Sequence, residues 1–208
     1  MLIAVDGPLA SGKGTIARAL AAHFSLPHMD TGTLYRAVAV EMLEAGENPR
    51  DAEAAEARAR ALDPSAIDEK KIRTAGAGVA ASIVSAHPGV RRALLKLQQD
   101  FARQPGGAVM DGRDIGTVIA PEAEVKLYVT ASEEARAWRR QAELVNRGEM
   151  IEFDQVLAQL KERDARDAAR SAAPLTRAPD AVELDTTEMT IDEAVRAAIA
   201  IVDERRAR

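Results

Sequence analysis

With 208 residues, 47% of them hydrophobic and 29% charged, the chain has the length and balance of one globular domain with a substantial core. Its net charge of −5 excludes a general nucleic-acid or membrane-surface binder, because such surfaces call for an excess of Lys and Arg, so any anion site must be local. The absence of cysteine removes disulfides, thiolate metal sites and cysteine nucleophiles together.

In chain order, Leu2 to Asp6 reads as a short buried strand and Thr15 to Phe24 as a helix with Ile16, Leu20 and Phe24 at helical spacing. The apolar run before Asp6 is too short for a signal peptide, and no stretch reaches the length of a membrane span, so a cytoplasmic location is expected. Pro27 to Asp30 predicts a second short strand, and Thr31 to Ala45 a helix carried by Leu34, Val38 and Met42. Residues 51–62 predict a helix, as do Ile72 to Ser85 and Pro88 to Gln104, the last with a proline at its start. Ala108 to Asp111 and Val125 to Thr130 are apolar runs typical of parallel-sheet strands. A helix from Ser132, a loop near Gly148, a charged helix from Phe153, a strand at Ala181 to Asp185 and a final helix from Thr190 complete the chain. Between the charged helix and that strand, "SAAPLTRAPD" reads as a loop. This alternation predicts an α/β fold with a parallel sheet covered on both faces.

The stretch "GPLASGKGT" (Gly7, Pro8, Leu9, Ala10, Ser11, Gly12, Lys13, Gly14, Thr15) joins the first strand to the first helix. Its Gly-(four residues)-Gly-Lys spacing is that of a phosphate-binding loop: the glycines let successive N–H groups converge on one anion, the helix adds its positive end, and Lys13 reaches the β- and γ-phosphates. Gly14 stands where such loops commonly carry Ser or Thr. No Asn-Lys-x-Asp run marks a guanine switch, and the chain is small and acidic for a nucleic-acid motor. Two further segments point to a small-molecule kinase. In "DTGTLYR" (30–36), Arg36 lies one turn into a helix and can clamp a second phosphate. In "DGRDIGT" (111–117), Asp111 lies at a strand's carboxyl end and suits a Mg²⁺ shell, while Arg113 and Asp114 offer a phosphate donor and a base-reading acceptor.

These three motifs, in this order and at these separations, resemble those of the bacterial cytidylate kinase family. The resemblance continues through "IRTAGAGVAASIVSAHPGVRRAL" (72–94), "KERDARDAARSAAPL" (161–175) and "LDTTEMTIDEAV" (184–195), and so covers essentially the whole chain. It implies a single P-loop nucleoside monophosphate kinase domain over 1–208, with a helical nucleoside-monophosphate region at about 31–105 and a lid at about 146–175. It further implies transfer of the γ-phosphoryl group of ATP to CMP or dCMP with Mg²⁺. By the same resemblance, Gly7 to Thr15 hold ATP, Arg36, Arg113 and Arg170 grip the CMP phosphate, Ser82, Arg91 and Asp114 read cytosine, and Arg163 and Asp167 lie near the sugar. Thr31 joins the CMP-binding set, Lys13, Arg113, Arg163 and Arg170 form the catalytic set, and Asp111 serves the metal through water. The expected partners are these small molecules, with no nucleic acid or membrane and a monomeric chain.

The chemistry agrees with that assignment, because an anionic phosphate oxygen needs no general base and the work lies in joining and neutralising two polyanions. Residues 163, 166, 167 and 170 share one helix face on which arginines outnumber carboxylates, consistent with a mobile lid. His23, His28 and His87 show no metal-ligand spacing and read as structural or surface residues, and Trp138 reads as packing. Where the family carries a small β-rich insertion, only "DPSAIDEKK" is present, too short for three strands. The competing readings are a UMP- or AMP-directed kinase and a nucleotide-binding regulator without catalysis.

Overall fold

The apolar run Leu2–Asp6 forms strand β1 and is buried along its whole length. Such burial requires strands on both edges and helices on both faces, which the computed structural model supplies. It describes residues 1–207, leaving aside the side chain of Ala75; Arg208, the last residue of the expected single domain, lies outside the described residues. β2 (His28–Asp30), β3 (Ala108–Gly112), β4 (Val125–Thr130) and β5 (Val182–Asp185) join β1 in one five-stranded parallel sheet of order β2-β3-β1-β4-β5. Around it run α1 (Lys13–Phe24), α2 (Gly32–Glu44), α3 (Ala52–Ala61), α4 (Ala75–Val84), α5 (Pro88–Ala102), α6 (Glu133–Asn146), α7 (Phe153–Ala168) and α8 (Ile191–Arg206).

Alternation along β1 sends Ile3 and Val5 to one face, against Ile16 and Leu20 of α1 and Ala198 and Val202 of α8. Leu2 and Ala4 face the other way, onto Ala102 of α5 and onto Ile115 and Ile119. Each large aliphatic side chain buried in these layers contributes roughly 1.5–3 kcal/mol. A third cluster, including Leu34, Val38, Met42, Val84, Val90 and Leu94, binds α2 to α5 into a helical layer of its own.

The strand order sets the site. From β1 the chain leaves toward β2, whereas from β3 it crosses to β4 on the opposite side, so β1 and β3 are neighbours whose connections diverge. A crevice opens beyond the carboxyl ends of such strands, and Asp6 with the phosphate loop and Asp111 with the turn after it stand there.

Three local features differ from the sequence expectation. The helix predicted from Ile72 to Ser85 is divided into a 3₁₀ turn at Lys71–Arg73 and α4, because Thr74 is extended and its hydroxyl accepts from Ala77 N at 3.2 Å. The first helix begins at Lys13 rather than Thr15. A π-helical turn spans Ile115–Ile119, a segment without helical periodicity in its sequence, and it is pinned by Asp6, whose carboxylate accepts from Ile115 N and Gly116 N at 2.8 Å each. Residues 63–71 carry short turns rather than strands, as their length requires. Among the described residues, no helix is long and apolar enough to cross a membrane.

Candidate active site

The loop between β1 and α1 is shaped by close packing. A Cβ on Gly7 would lie 2.0 Å from the Val129 carbonyl oxygen, and Gly12 holds φ +89°, a left-handed conformation costly for other residues. Ala10 adopts a left-handed conformation despite its Cβ, the kind of local strain that accumulates at ligand loops. Two outside donors brace the loop: Arg136 Nη1 reaches Leu9 O at 3.2 Å, and Thr186 Oγ1 reaches Ser11 O at 3.0 Å. The positive end of α1 thus faces the crevice, with no acidic residue in its first turn to compete with an incoming anion.

Lys13 opens α1 and lines this cleft, its Nζ donating to Pro8 O at 3.3 Å. Burial and the nearby Arg113 guanidinium push its pKa down to about 7, against the opposing pull of Asp111 and Asp30. A polyphosphate would restore the charged form. The sign is therefore fixed: at pH 8 the free lysine is mostly neutral and the bound one protonated, so binding takes up close to one proton, while at pH 6 the lysine is already charged and uptake vanishes. Calorimetry of ATP binding in buffers of different ionisation enthalpy, compared between wild type and Lys13→Met, is expected to show this difference. An identical proton count in the two proteins at pH 8 would contradict it.

At the end of β3, Asp111 is held from two sides. Its carbonyl accepts from Thr31 N at 3.0 Å and Thr31 Oγ1 at 2.9 Å, and its carboxylate contacts His28 Nε2 at 2.8 Å. The Thr31 hydroxyl is thus already engaged by the backbone. Arg36 Nη2 donates to Asp30 Oδ2 at 2.7 Å and to Thr33 Oγ1 at 3.0 Å, which aims the guanidinium across the cleft mouth.

Opposite the phosphate loop, the arginines converge on one fully buried carboxylate. Asp167 accepts from Arg113 Nε at 2.9 Å and also from Arg170 Nη2. Burial alone would raise its pKa, but Arg113, Arg170 and Arg163 outweigh it and hold Asp167 below the usual carboxylate range. Arg163 donates to Gly78 O at 3.4 Å and its Nε has no partner; burial, with repulsion from Arg113, lowers its pKa to about 9. Asp164 turns away to Arg136 at 2.7 Å. Arg163 and Arg170 outnumber Asp167 along the part of the stripe that lines the cleft, which therefore keeps net positive charge, while Asp164 lies off that face.

Deeper in, Arg91 donates to Asp114 in a buried pair, with its guanidinium 5.6 Å from the Tyr35 ring centroid. Burial also pushes Asp6, behind this turn, up to about 7, with backbone N–H groups of Gly116 and Ile115 opposing the rise. The main cleft, about 310 Å³, brings together Lys13, Arg36, Arg91, Asp111, Arg113, Asp114, Arg163, Asp167 and Arg170. Ser82 is not among its walls. Its buried hydroxyl has no partner and lines an adjoining cavity of about 480 Å³ between α4 and α7, shared with Gly78 and Arg163.

Two residues outside the three sequence motifs touch the site, Ser85 in the cleft wall and His28 behind Asp111. Ser85, three positions after Ser82, does face the cleft: its Oγ accepts from Arg170 Nη2 at 2.8 Å and donates to Ser82 O at 3.2 Å. The i, i+3 spacing was the available signal. His28, read as structural or surface, touches Asp111; no spacing rule could pair residues 83 positions apart. Trp138 packs as expected, stacked on Phe153 with centroids 4.3 Å apart, yet on the surface with 60% of its area exposed.

Comparison with known proteins bears on what this cleft serves. A family model described as cytidylate kinase matches residues 3–204. The chain is 58% identical over 207 residues to a cytidylate kinase of Xanthobacter autotrophicus (strain ATCC BAA-1158 / Py2), covering 100% of this chain and 99% of that one. It is 57% identical over 207 residues to a cytidylate kinase of Caulobacter sp. (strain K31), covering 100% and 96%. A crystal structure of an uncharacterized protein from Eubacterium ventriosum ATCC 27560 covers 100% of this chain and 99% of its own at TM-score 0.57 and 14% identity, a likeness of fold alone.

Proposed function

The chain belongs to the cytidylate kinase family, and from that membership we propose how its own residues divide the transfer of the γ-phosphoryl group of ATP to the 5′-phosphate of CMP or dCMP. The phosphate loop, Gly7 to Thr15, takes the ATP phosphates, with Lys13 neutralising charge at the β–γ bridge. Arg36, Arg113 and Arg170 take the phosphate of CMP, Arg163 faces the charge that builds between the two nucleotides, and Asp167 holds Arg113 and Arg170 in place. The attacking group is a phosphate oxygen, so no proton need be removed, and the rate comes from alignment and electrostatic stabilisation.

A magnesium ion fits the donors present. Among the described residues no cluster of three or more His, Cys, Asp or Glu side chains forms a cage, but Mg²⁺ is ordinarily held by one or two carboxylates together with waters and substrate phosphates. Asp111 supplies the carboxylate, and the ion, when bound, would neutralise and orient the phosphate oxygens. We assign residues 31–105 to the monophosphate side and 146–175 to a lid that excludes water over the phosphates.

The observation that carries the cytidine assignment is the buried Arg91–Asp114 pair at the deep end of the cleft. Cytosine presents an amino donor beside two acceptors, which complements a carboxylate that only accepts and a guanidinium that only donates. A coupled assay of ADP release across CMP, dCMP, UMP, AMP and GMP is expected to give the highest kcat/KM with CMP and dCMP. It should give a drop of roughly ten- to a hundredfold with UMP, the consequence of one mismatched buried polar group. Faster turnover of AMP or UMP would replace the base assignment, and no turnover of any would indicate a nucleotide-binding regulator.

A further inference from the structure

We propose that His28 is a positioning residue for Asp111, fixing the carboxylate so that one oxygen is turned toward the phosphate loop. The inference rests on the reading of Asp111 as the magnesium-side carboxylate and adds to it a residue that no part of that reading contains.

The sheet register brings the two together. His28 pairs with Val109, and Asp111, two residues further along β3, shares that face of the sheet. His28 Nε2 then lies 2.8 Å from Asp111 Oδ1, with the histidine side chain largely covered and the carboxylate almost wholly so. A carboxylate only accepts, so Nε2 carries the proton, and the neutral tautomer suffices. The remaining oxygen points the other way: a Cβ on Gly14 would meet Asp111 Oδ2 at 3.6 Å. Thr31 meanwhile clamps the Asp111 carbonyl. Backbone and Oδ1 are thus tied to β2 and the start of α2, leaving Oδ2 as the oxygen presented to the first turn of α1.

The first turn of α1 carries Gly14, which offers no side-chain oxygen, followed by Thr15, whose hydroxyl accepts from Arg18 Nη2 at 3.4 Å. Hydrogen-bond partners behind a metal-side carboxylate restrict its rotation and raise its affinity, and their removal typically costs ten- to a hundredfold in metal binding or activity.

The test measures Mn²⁺ as the probe, with a non-hydrolysable ATP analogue bound to the full chain, reading free Mn²⁺ by electron paramagnetic resonance. His28→Leu is expected to weaken Mn²⁺ binding to the enzyme–analogue complex by about tenfold, the usual loss for such a partner, while metal-free binding of the analogue stays at the wild-type value. His28→Gln, whose amide nitrogen reaches a similar point, should restore most of the affinity. Asp111→Asn sets the scale. If it weakens Mn²⁺ binding and His28→Leu does not, the inference is overturned while the role of Asp111 stands. If Asp111→Asn binds Mn²⁺ normally, the reading of Asp111 falls and the inference with it. Equal losses with and without metal in His28→Leu would make His28 a merely structural residue. Should His28→Leu fail to fold, His28→Asn, polar but too short to reach Asp111, gives the same readout.

Discussion

Lys13→Ala is expected to lower kcat by on the order of a hundredfold or more, equivalent to about 2.7 kcal/mol or more of lost transition-state stabilisation, while the protein stays folded. The charge that develops between the γ-phosphoryl group and its leaving oxygen needs a cation that is already in place, and Lys13 begins α1 at the point where the loop closes on it. The structure also indicates why stability should survive. Among the described residues the ammonium donates only to Pro8 O of its own loop, and burial with repulsion from Arg113 and Arg163 outweighs the attraction of Asp111 and Asp30. Removing it deletes a cation that its surroundings already disfavour. The loss should therefore fall on turnover rather than on melting temperature. Turnover within a few-fold of wild type in a folded Lys13→Ala protein would refute the role given to the phosphate loop.

Asp114→Ala is expected to reduce kcat/KM for CMP by roughly ten- to a hundredfold and to affect UMP much less, shrinking the preference between them. The carboxylate accepts from the exocyclic amino group of cytosine, whereas uracil places a second acceptor, O4, against it. The burial of the Arg91–Asp114 pair adds a consequence that specificity alone would not give: alanine leaves the guanidinium of Arg91 without its carboxylate in a covered site, so the melting temperature should fall as well. Asp114→Asn separates the two effects. It keeps the shape and one acceptor oxygen, and its amino group can donate to O4, so the ratio of kcat/KM for CMP to that for UMP should move toward UMP in a protein closer to wild-type stability. Equal losses on both substrates in Asp114→Asn would mean that the residue does not read the base, and that its effect passes through Arg91.

The sequence by itself determined the elements whose causes are local. Spacing of Gly7, Gly12 and Lys13 defines the loop, because backbone freedom and a single cation at that offset are properties of a few adjacent residues. Apolar runs marked β1, β3 and β4, since burial on both faces removes most polar residues from interior strands, whereas the edge strands β2 and β5 keep His28, Asp30, Glu183 and Asp185. Periodicity also placed Arg163, Asp167 and Arg170 on one face of α7 and its continuation. What it could not give was the partner of each charge. Only the tertiary structure paired Asp164 with Arg136, the buried residue that braces the phosphate loop, set Asp167 between Arg113 and Arg170, moved Ser85 rather than Ser82 into the main cleft, and put His28 behind Asp111. Those pairings join residues as far as 85 positions apart, and Coulomb and hydrogen-bond energies depend on distance in space, which the order of strands β2, β3 and β1 decides and no local pattern records.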